Sequence, residues 1–190
     1  ICTPRIILRS AASGVDLQVL PVVYFGILDH YSRRSDSQQR VIGTLLGHKC
    51  PDGSVEISNC FPVPHNETEE QVAVDMEYHR TLYDLHRQVN PREVIVGWYA
   101  TGREITDHSW LIHEFYSRET KDPIHLCLDT QLHGDMMSIA AYVSAPMGVP
   151  EATMGTLFTP LEVESHFHAT EEMGLQVLKR TLESPDNTIT

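Results

Sequence analysis

The chain has 190 residues, a hydrophobic fraction of 41% and a formal net charge of −12, which is typical of one globular domain rather than a disordered chain. Its longest apolar stretch, residues 21–28, is much shorter than the ~20 residues of a membrane-spanning helix, so we expect no transmembrane segment. Lysine occurs only three times, and so acidic a chain is poorly suited to neutralise phosphates. We therefore expect no autonomous nucleic-acid binding and no attachment to anionic membranes.

The cysteines and the N-terminal segment indicate in which cellular compartment the protein is expected. The four cysteines form no C-x-x-C pair, which argues against a zinc ribbon and favours reduced thiols. The apolar run Ile6-Ile7-Leu8 is too short for a secretory signal, so we expect a cytoplasmic protein. The densest basic region, Arg33-Arg34 with Arg40, is interpreted as solvated surface.

The first elements are predicted from apolar spacing. Residues 1–20 show no clear period and are interpreted as an irregular lead-in. Residues 22–34 are predicted to form a helix because apolar side chains recur at four-residue spacing. The nearly continuous apolar run over 41–47 predicts a strand that is covered on both faces.

A β-hairpin is predicted around the turn Pro51-Asp52-Gly53. Its second strand, residues 54–63, alternates apolar and polar side chains, with Asn59 interrupting the pattern. We expect four apolar residues of this strand to share one face: Val55, Ile57, Phe61 and Val63.

A loop and a second helix follow the hairpin. Prolines at 62 and 64 predict a loop over His65-Asn66-Glu67. Asp75 is a suitable N-cap for a helix that ends before Asn90-Pro91. The apolar stripe of this helix consists of Tyr78, Leu82, Leu85 and Val89.

The second half of the chain is predicted to alternate helices and strands as well, which indicates an α/β or α+β domain with a mixed sheet. The elements are, in order, a strand over 93–100, a helix capped by Thr106, a strand over 124–130, a turn at 133–135, an antiparallel strand over 138–144, a loop over 146–150, a strand over 159–166 with Leu161 and Val163 inward, and a helix capped by Thr170 that contains Leu175, Leu178 and Leu182.

Eleven histidines raise the question of a metal site. The single H-x-H sequence, His166-Phe167-His168, has no third ligand fixed by spacing, so a partly exposed strand end is the preferred interpretation. His79 and His86 lie two helical turns apart on an otherwise polar face and are interpreted as solvated. No nucleophile elbow, Walker A loop or H-E-x-x-H motif occurs, so the residues alone supply no catalytic set.

The segment Gly97-Trp98-Tyr99-Ala100-Thr101-Gly102 resembles the one that follows a core strand in MPN domains. In the metal-dependent branch of that family, this segment reads G-W-Y-H-x-H-P and is followed by S-x-x-D, with a Glu on an earlier strand (the JAMM motif). There the two histidines and the Asp bind zinc, and the Glu acts as general base on the metal-bound water.

The corresponding positions of this chain lack most of those groups. In motif order they are Arg40 for the Glu, Ala100 and Gly102 for the two histidines, Trp110 (or Ser109 with a slip of one residue) for the Ser, and His113 for the Asp. Two of the three zinc ligands have no donor atom, and a cation replaces the base. The resemblance therefore implies an inactive member of the family, with no metal and no cofactor.

Further motifs resemble the inactive branch, in particular the MPN subunits of eukaryotic translation initiation factor 3. They are residues 41–47 (VIGTLLG), 59–61 (NCF), 63–67 (VPHNE), 72–75 (VAVD), 111–119 (LIHEFYSRE), 123–126 (PIHL), 129–130 (DT) and 147–150 (MGVP). This resemblance implies an α/β MPN domain with a mixed, curved β-sheet flanked by helices. We expect that domain over 21–168, between the lead-in 1–20 and the start of a C-terminal helical region at 169–190.

The same resemblance implies a scaffold that acts through protein–protein contacts and not an enzyme. Its implied partners are the other subunits of that factor, especially the second MPN subunit (H), with indirect contact to the small ribosomal subunit. The expected partner-facing residues are Tyr78, Leu82, Leu85 and Val89 on one helix and Leu175, Leu178 and Leu182 on the last. The alternatives are a deubiquitinase or isopeptidase with a non-standard metal site, and an MPN scaffold of the proteasome lid or signalosome.

Overall fold

A computed structural model describes residues 16–68, 71–103, 105–131, 137–147 and 155–183. Within these ranges the chain forms ten strands and four helices. In chain order they are β1 (Leu17–Val19), α1 (Pro21–Ser32), β2 (Ile42–Lys49), β3 (Val55–Val63), β4 (His65–Glu67), β5 (Val72–Val74), α2 (Met76–Val89), β6 (Val94–Thr101), α3 (Asp107–Glu119), β7 (Ile124–Leu128), β8 (Ile139–Met147), β9 (Gly155–Leu161), β10 (Val163–Ser165) and α4 (Ala169–Glu183).

Eight strands form one mixed sheet in the order β10-β1-β3-β2-β6-β7-β8-β9, and β4 and β5 form a separate two-stranded sheet. The neighbours β2 and β3 pair antiparallel through the turn at Gly53, which has a positive φ of 90°. Strands β6 and β7 are parallel and are connected through α3, as a parallel pair requires. The predicted class, an α/β domain with a curved mixed sheet flanked by helices, is confirmed.

The sheet begins earlier in the chain than predicted. Strand β1 runs parallel to both β3 and β10, and its residues Leu17 and Val19 are buried. The prediction of an irregular lead-in is therefore wrong at residues 17–19, because a three-residue strand is too short to show a period. The remaining lead-in residues 1–15 lie outside the described part of the chain.

Helix α1 covers one face of the sheet. It starts with Pro21 in its first turn, where the missing N–H costs no helical hydrogen bond, and its side chains join a core cluster with β1, β2 and β6. A Cβ atom at Gly26 would lie 2.8 Å from Sγ of Cys60. Glycine at this position therefore allows the close approach of α1 to β3.

Helix α3 covers the opposite face. Its residues Ile112 and Tyr116 pack in a second core cluster with Trp98 and Ala100 of β6, and the Tyr116 hydroxyl lies 2.8 Å from Oγ1 of Thr44 on β2. The strand predicted over 41–47 is thus covered on both faces, as its continuous apolar sequence indicated.

Strand β3 changes face partway along its length. Its pairing with β2 shifts between Leu46, which opposes Asn59, and Gly47, which opposes Ile57, so that Ser58 is an extra residue. Because a bulge reverses the alternation, the side chains before it and after it contribute to different clusters: Val55 and Ile57 to the first, Phe61 and Val63 to the second. The prediction that these four residues share one face is wrong.

The segment predicted as a loop at His65-Asn66-Glu67 is strand β4. It pairs antiparallel with β5, with His65 opposite Val74 and Glu67 opposite Val72. Both strands are only three residues long, and β4 carries polar side chains, so neither gives a detectable apolar period. We call β4 and β5 together the insert hairpin.

Helix α2 has the predicted limits. Oδ1 of Asp75 accepts a hydrogen bond from the backbone N–H of Tyr78 at 2.9 Å, and the helix ends at Val89. The interpretation of His79 as solvated is wrong, because this side chain is buried against aromatic rings of Phe61, Phe115 and Tyr116. His86 is half-buried, and its Nε2 hydrogen-bonds to the Glu93 carboxylate.

The C-terminal elements agree in part with expectation. Strand β8 pairs antiparallel with β7, as predicted, whereas the predicted turn at 133–135 and residues 148–150 lie outside the described ranges. The strand predicted over 159–166 is divided between β9, which pairs with β8, and β10, which pairs with β1. Helix α4 begins at Ala169, so Thr170 lies inside its first turn and is not the cap. In the part of the chain that the structure describes, no helix is long and apolar enough to cross a membrane.

Candidate functional site

The segment from Ala100 to Gly102 ends β6 and is held between two neighbouring strands. The backbone N–H of Thr101 donates to the carbonyl oxygen of Val41 at 3.0 Å, and its Oγ1 accepts from the Val41 N–H at 3.0 Å. On the other side, the Gly102 N–H donates to the carbonyl oxygen of Leu128 at 2.8 Å. The positions that carry the two histidines in the JAMM motif are therefore rigidly placed.

Neither of these two positions offers a ligand atom. The Ala100 methyl group is buried in the second core cluster. Gly102 has no side chain, and its backbone φ is +127°. Residues other than glycine rarely adopt this backbone conformation. The donor set that would hold a catalytic zinc ion is therefore absent at these two positions.

Arg40, which the resemblance aligns with the general base, lies just before β2. Its Nε is 2.8 Å from Oε1 and 3.0 Å from Oε2 of Glu67, and its Nη2 is 2.7 Å from Oε1. Its Nη1 donates to Oγ of Ser109 at 3.3 Å. One guanidinium group thus connects the start of β2, the end of β4 and the first turn of α3.

The two candidates for the Ser position of the motif, Trp110 and Ser109, differ in their surroundings. Ser109 is fully buried, and its Oγ accepts hydrogen bonds from Arg40 and from the backbone N–H of Thr106, the latter at 3.1 Å. The Trp110 side chain, one residue further along, is 43% exposed.

His113, at the Asp position, cannot act as a neutral metal ligand in this arrangement. Its Nδ1 lies 3.1 Å from Nε1 of Trp98, and an indole N–H can only donate, so Nδ1 is the acceptor and Nε2 carries the proton. The lone pair that a metal would need is therefore engaged. Burial also lowers the pKa of His113 to about 4, so the ring is neutral at physiological pH.

A cysteine and a histidine meet beside this site, but they do not form a nucleophilic pair. Sγ of Cys127 lies 3.2 Å from Nε2 of His125. Burial raises the pKa of the Cys127 thiol to about 12, and burial together with the nearby His113 lowers the pKa of His125 to about 3. Nucleophilic cysteines require the opposite shift, towards the thiolate, so the pair is an inert part of the core.

Glu67 is the member of this site that sequence reasoning missed. Besides Arg40, its carboxylate faces His65 Nε2 at 3.5 Å and His108 Nδ1 at 3.7 Å. Residues 63–67 form one of the motifs that resemble the family, but their spacing gives no sign that Glu67 meets Arg40. Among the residues that the structure describes, no three His, Cys, Asp or Glu side chains are arranged so that they could hold a metal ion.

The basic residues Arg33, Arg34 and Arg40 are engaged within the domain. Arg33 pairs with Asp29, and Arg34 stacks on the Tyr31 ring and donates to the carbonyl oxygens of residues 31 and 38. The interpretation as solvated surface agrees with Arg33, whose side chain is 68% exposed, and is wrong for Arg40, which is 12% exposed and bound to Glu67.

The predicted partner-facing residues fall into three groups. Tyr78, Leu85 and Val89 of α2 and Leu178 of α4 are exposed, as a partner surface requires. Leu82 is half-buried and packs against the second core cluster, so it contributes to the domain's own core. Leu175 is half-buried, and the side chain of Leu182 lies outside the described part of the structure.

The H-x-H sequence lies between β10 and α4. The rings of His166 and His168 are 5.3 Å apart and perpendicular, and the His168 N–H donates to the Glu171 carboxylate at 3.1 Å. The preferred interpretation, a partly exposed end of a strand, agrees with these contacts.

Comparison with known proteins places this geometry in a family. A model of the JAB1/Mov34/MPN/PAD-1 ubiquitin protease family matches residues 12–122. In Aedes aegypti, the F subunit of eukaryotic translation initiation factor 3 is 50% identical to this chain over 169 residues, which are 89% of this chain and 58% of that protein. In Bombyx mori, the F subunit of the same factor is 47% identical over 171 residues, 90% of this chain and 59% of that protein.

A third relative, the F-1 subunit of this factor in Drosophila ananassae, is 46% identical over 172 residues, 90% of this chain and 61% of its own length. The chain therefore spans less than two thirds of the length of the curated relatives that it matches.

Proposed function

Because the chain belongs to the JAB1/Mov34/MPN/PAD-1 family, we propose that it works as a non-catalytic MPN subunit of eukaryotic translation initiation factor 3. In this role it contributes to the initiation of protein synthesis in the cytoplasm through protein–protein contacts. Its partners are the other subunits of that factor, in particular the second MPN subunit (H), and it meets the small ribosomal subunit indirectly.

The single observation that carries the non-catalytic part is the state of the motif positions. Ala100 and Gly102 supply no ligand atom, and the lone pair of His113 is engaged by Trp98. The place of the general base is taken by Arg40, whose positive charge is directed at Glu67. A metal ion at this position would face a guanidinium group, and the neighbouring Glu67 carboxylate is held in the ion pair with Arg40, which opposes its use as a general base.

The assignment to the initiation factor is supported by the relatives. Three of them carry the name of its F subunit and are 46–50% identical to this chain over about nine tenths of its length. The net charge of −12 supports the proposal that contact with RNA is indirect, because phosphate binding depends on Lys and Arg side chains that neutralise the phosphates.

The surfaces proposed to meet partners lie on α2 and α4. Leu85 and Val89 are 52% and 86% exposed at the C-terminal end of α2, and Leu178 is 56% exposed on α4. Solvent-exposed apolar side chains on helices are typical of helix–helix contacts between subunits. Neither set is needed to fill the domain's own core.

The experiment that tests this role is co-purification of the full-length tagged protein from cell extract, followed by mass spectrometry. We expect the subunits of translation initiation factor 3, and Leu178→Asp should reduce their recovery while the protein stays folded. Gln176→Asp adds the same charge to an exposed residue of α4 and should have no effect. Recovery unchanged by Leu178→Asp would remove α4 from the interface.

The same experiment separates the alternatives. If the partners recovered were subunits of the proteasome lid or the signalosome, the chain would be a scaffold of those assemblies instead. The family is one of ubiquitin proteases, so an isopeptidase is the second alternative. That candidate requires a metal site, but the side chains at positions 100 and 102 have no donor atoms.

A further inference from the structure

We propose that the Arg40–Glu67 ion pair holds the insert hairpin against the site and thereby positions the start of α2. Arg40 would thus be a positioning residue, at a position where metal-dependent members carry a catalytic base. The structural role of this ion pair does not depend on the proposed function. Its consequence for partner binding does depend on that function.

The pair joins segments that are distant in sequence. Glu67 is 27 residues from Arg40, and Ser109, the second contact of the guanidinium group, is 69 residues from it. Nε of Arg40 donates to both carboxylate oxygens of Glu67, and Nη2 lies 2.7 Å from Oε1 as an ion-pair contact, so two nitrogen atoms of the guanidinium group hold one carboxylate. The geometry therefore restrains the hairpin against both the sheet and α3.

Burial makes this pair different from the surface pairs of the domain. The side chains of Arg40 and Glu67 are 12% and 22% exposed, whereas those of Arg33 and Asp29 are 68% and 59% exposed. Exposed ion pairs contribute little because water and salt screen them. Removing one partner of a mostly buried pair leaves the other charge uncompensated, which is strongly destabilising.

The hairpin needs such a restraint. It consists of three residue pairs, and an isolated two-stranded hairpin is marginally stable in water. Its apolar attachment comes from Val72 and Val74, which are only partly buried against the second core cluster. The ion pair at Glu67 fastens its other strand.

The hairpin leads directly into α2. The backbone N–H of Asp75 donates to the carbonyl oxygen of Pro64 at 2.9 Å, which ties the N-cap of α2 to the residue just before β4. Asp75 is followed at once by Met76, the first residue of the helix. Loosening the hairpin should therefore loosen the first turn of α2, the helix that presents Leu85 and Val89.

The test is hydrogen exchange in the full-length protein with the variants Arg40→Gln, Glu67→Gln and the double variant. The reporters are the amides of Asp75, bonded to the Pro64 carbonyl, and Thr68, bonded to the Gln71 carbonyl. Each single variant should speed exchange at both amides by about tenfold or more. The double variant should exchange no faster than the faster single variant, since both substitutions break one contact.

Two controls make the result specific. Arg33→Gln removes the exposed pair on α1 and should leave both reporter amides unchanged. The amide of Thr101, bonded to Val41 in the main sheet, should stay protected in every variant that folds. The charge swap Arg40→Glu with Glu67→Arg should restore most of the protection, and it keeps the test decisive if Arg40→Gln does not fold.

Unchanged exchange at Asp75 and Thr68 in both single variants, or fully additive effects in the double variant, would overturn the inference. Failure of the proposed function looks different. In that case the hairpin amides would respond as expected, but co-purification of the initiation-factor subunits would be absent from the wild-type protein as well.

Discussion

Three buried histidines have ring nitrogen atoms without a hydrogen-bond partner among the described residues: His79, His113 and His125. Such an atom costs about 1–3 kcal/mol when buried. Aromatic contacts offset part of this cost, as in the stack of His125 on Trp98 with ring centroids 3.7 Å apart. The rings are kept neutral because burial disfavours the imidazolium form.

These neutral rings predict a specific pH dependence of stability. The folded pKa values of His113 and His125 are lowered to about 4 and about 3, whereas the unfolded chain titrates near the ordinary value of about 6.5. Between these values the unfolded state binds more protons, so the free energy of unfolding should fall as the pH drops from 7 towards 4. Urea unfolding at several pH values measures this slope.

The variant His113→Asn checks the origin of the slope. Its side-chain oxygen can still accept from the Trp98 indole, but the group no longer titrates. We expect a shallower fall in stability between pH 7 and pH 4 than in the wild type. An identical slope in both proteins would show that His113 is not responsible.

Gly102 is a second residue whose replacement has a predictable cost. Its φ of +127° is a strained conformation for any residue with a Cβ atom, so Gly102→Ala should destabilise the domain by about 1–3 kcal/mol. Gly174→Ala, in open space on α4, should instead be neutral or stabilise by up to about 1 kcal/mol. Chemical denaturation of the two variants tests the contrast, and an equal effect of both would contradict it.

At the scale of elements, local signals in the sequence predicted one turn and the N-cap of α2, but not the start of α4, which precedes Thr170. The turn at Gly53 and the N-cap at Asp75 were predictable because a few neighbouring residues determine them. The bulge at Ser58 was not, because one extra residue changes which face every later side chain occupies and leaves the composition unchanged. Strands of three residues, such as β1 and β4, were not predicted because they are too short to show a hydrophobic period.

For the candidate site, only the missing ligand atoms could be predicted from the sequence. The absence of ligand atoms at Ala100 and Gly102 follows from the sequence once the motif is aligned. The contact between Arg40 and Glu67 does not, because it depends on how a hairpin folds back across 27 residues. The role of His113 as an acceptor for Trp98 likewise required the packing of α3 on β6.

Helix α2 allows a test of which side of it belongs to the core. Leu82 packs against the second cluster, whereas Leu85 is 52% exposed. Leu82→Ala should lower the free energy of unfolding by about 1–2 kcal/mol, less than for a fully buried leucine. Leu85→Ala is the matched control and should change it by less than about 0.5 kcal/mol. Equal losses measured by urea unfolding would show that both residues are core.

The whole molecule is a mixed sheet with α1 on one face and α3 on the other, to which the insert hairpin and α2 are attached. Its net charge of −12 disfavours direct binding to RNA and is compatible with binding to other proteins. At the end of β6, Ala100 and Gly102 supply no ligand atom, and nearby Arg40 forms an ion pair with Glu67.

The most direct measurement of the central claim is the zinc content of the purified full-length protein, determined together with a ubiquitin-chain cleavage assay in the presence and absence of a chelator. A metal-dependent member of the family, assayed in parallel, shows that the conditions support cleavage. We predict substoichiometric zinc and no cleavage above background. One zinc ion per chain with chelator-sensitive cleavage would contradict the account.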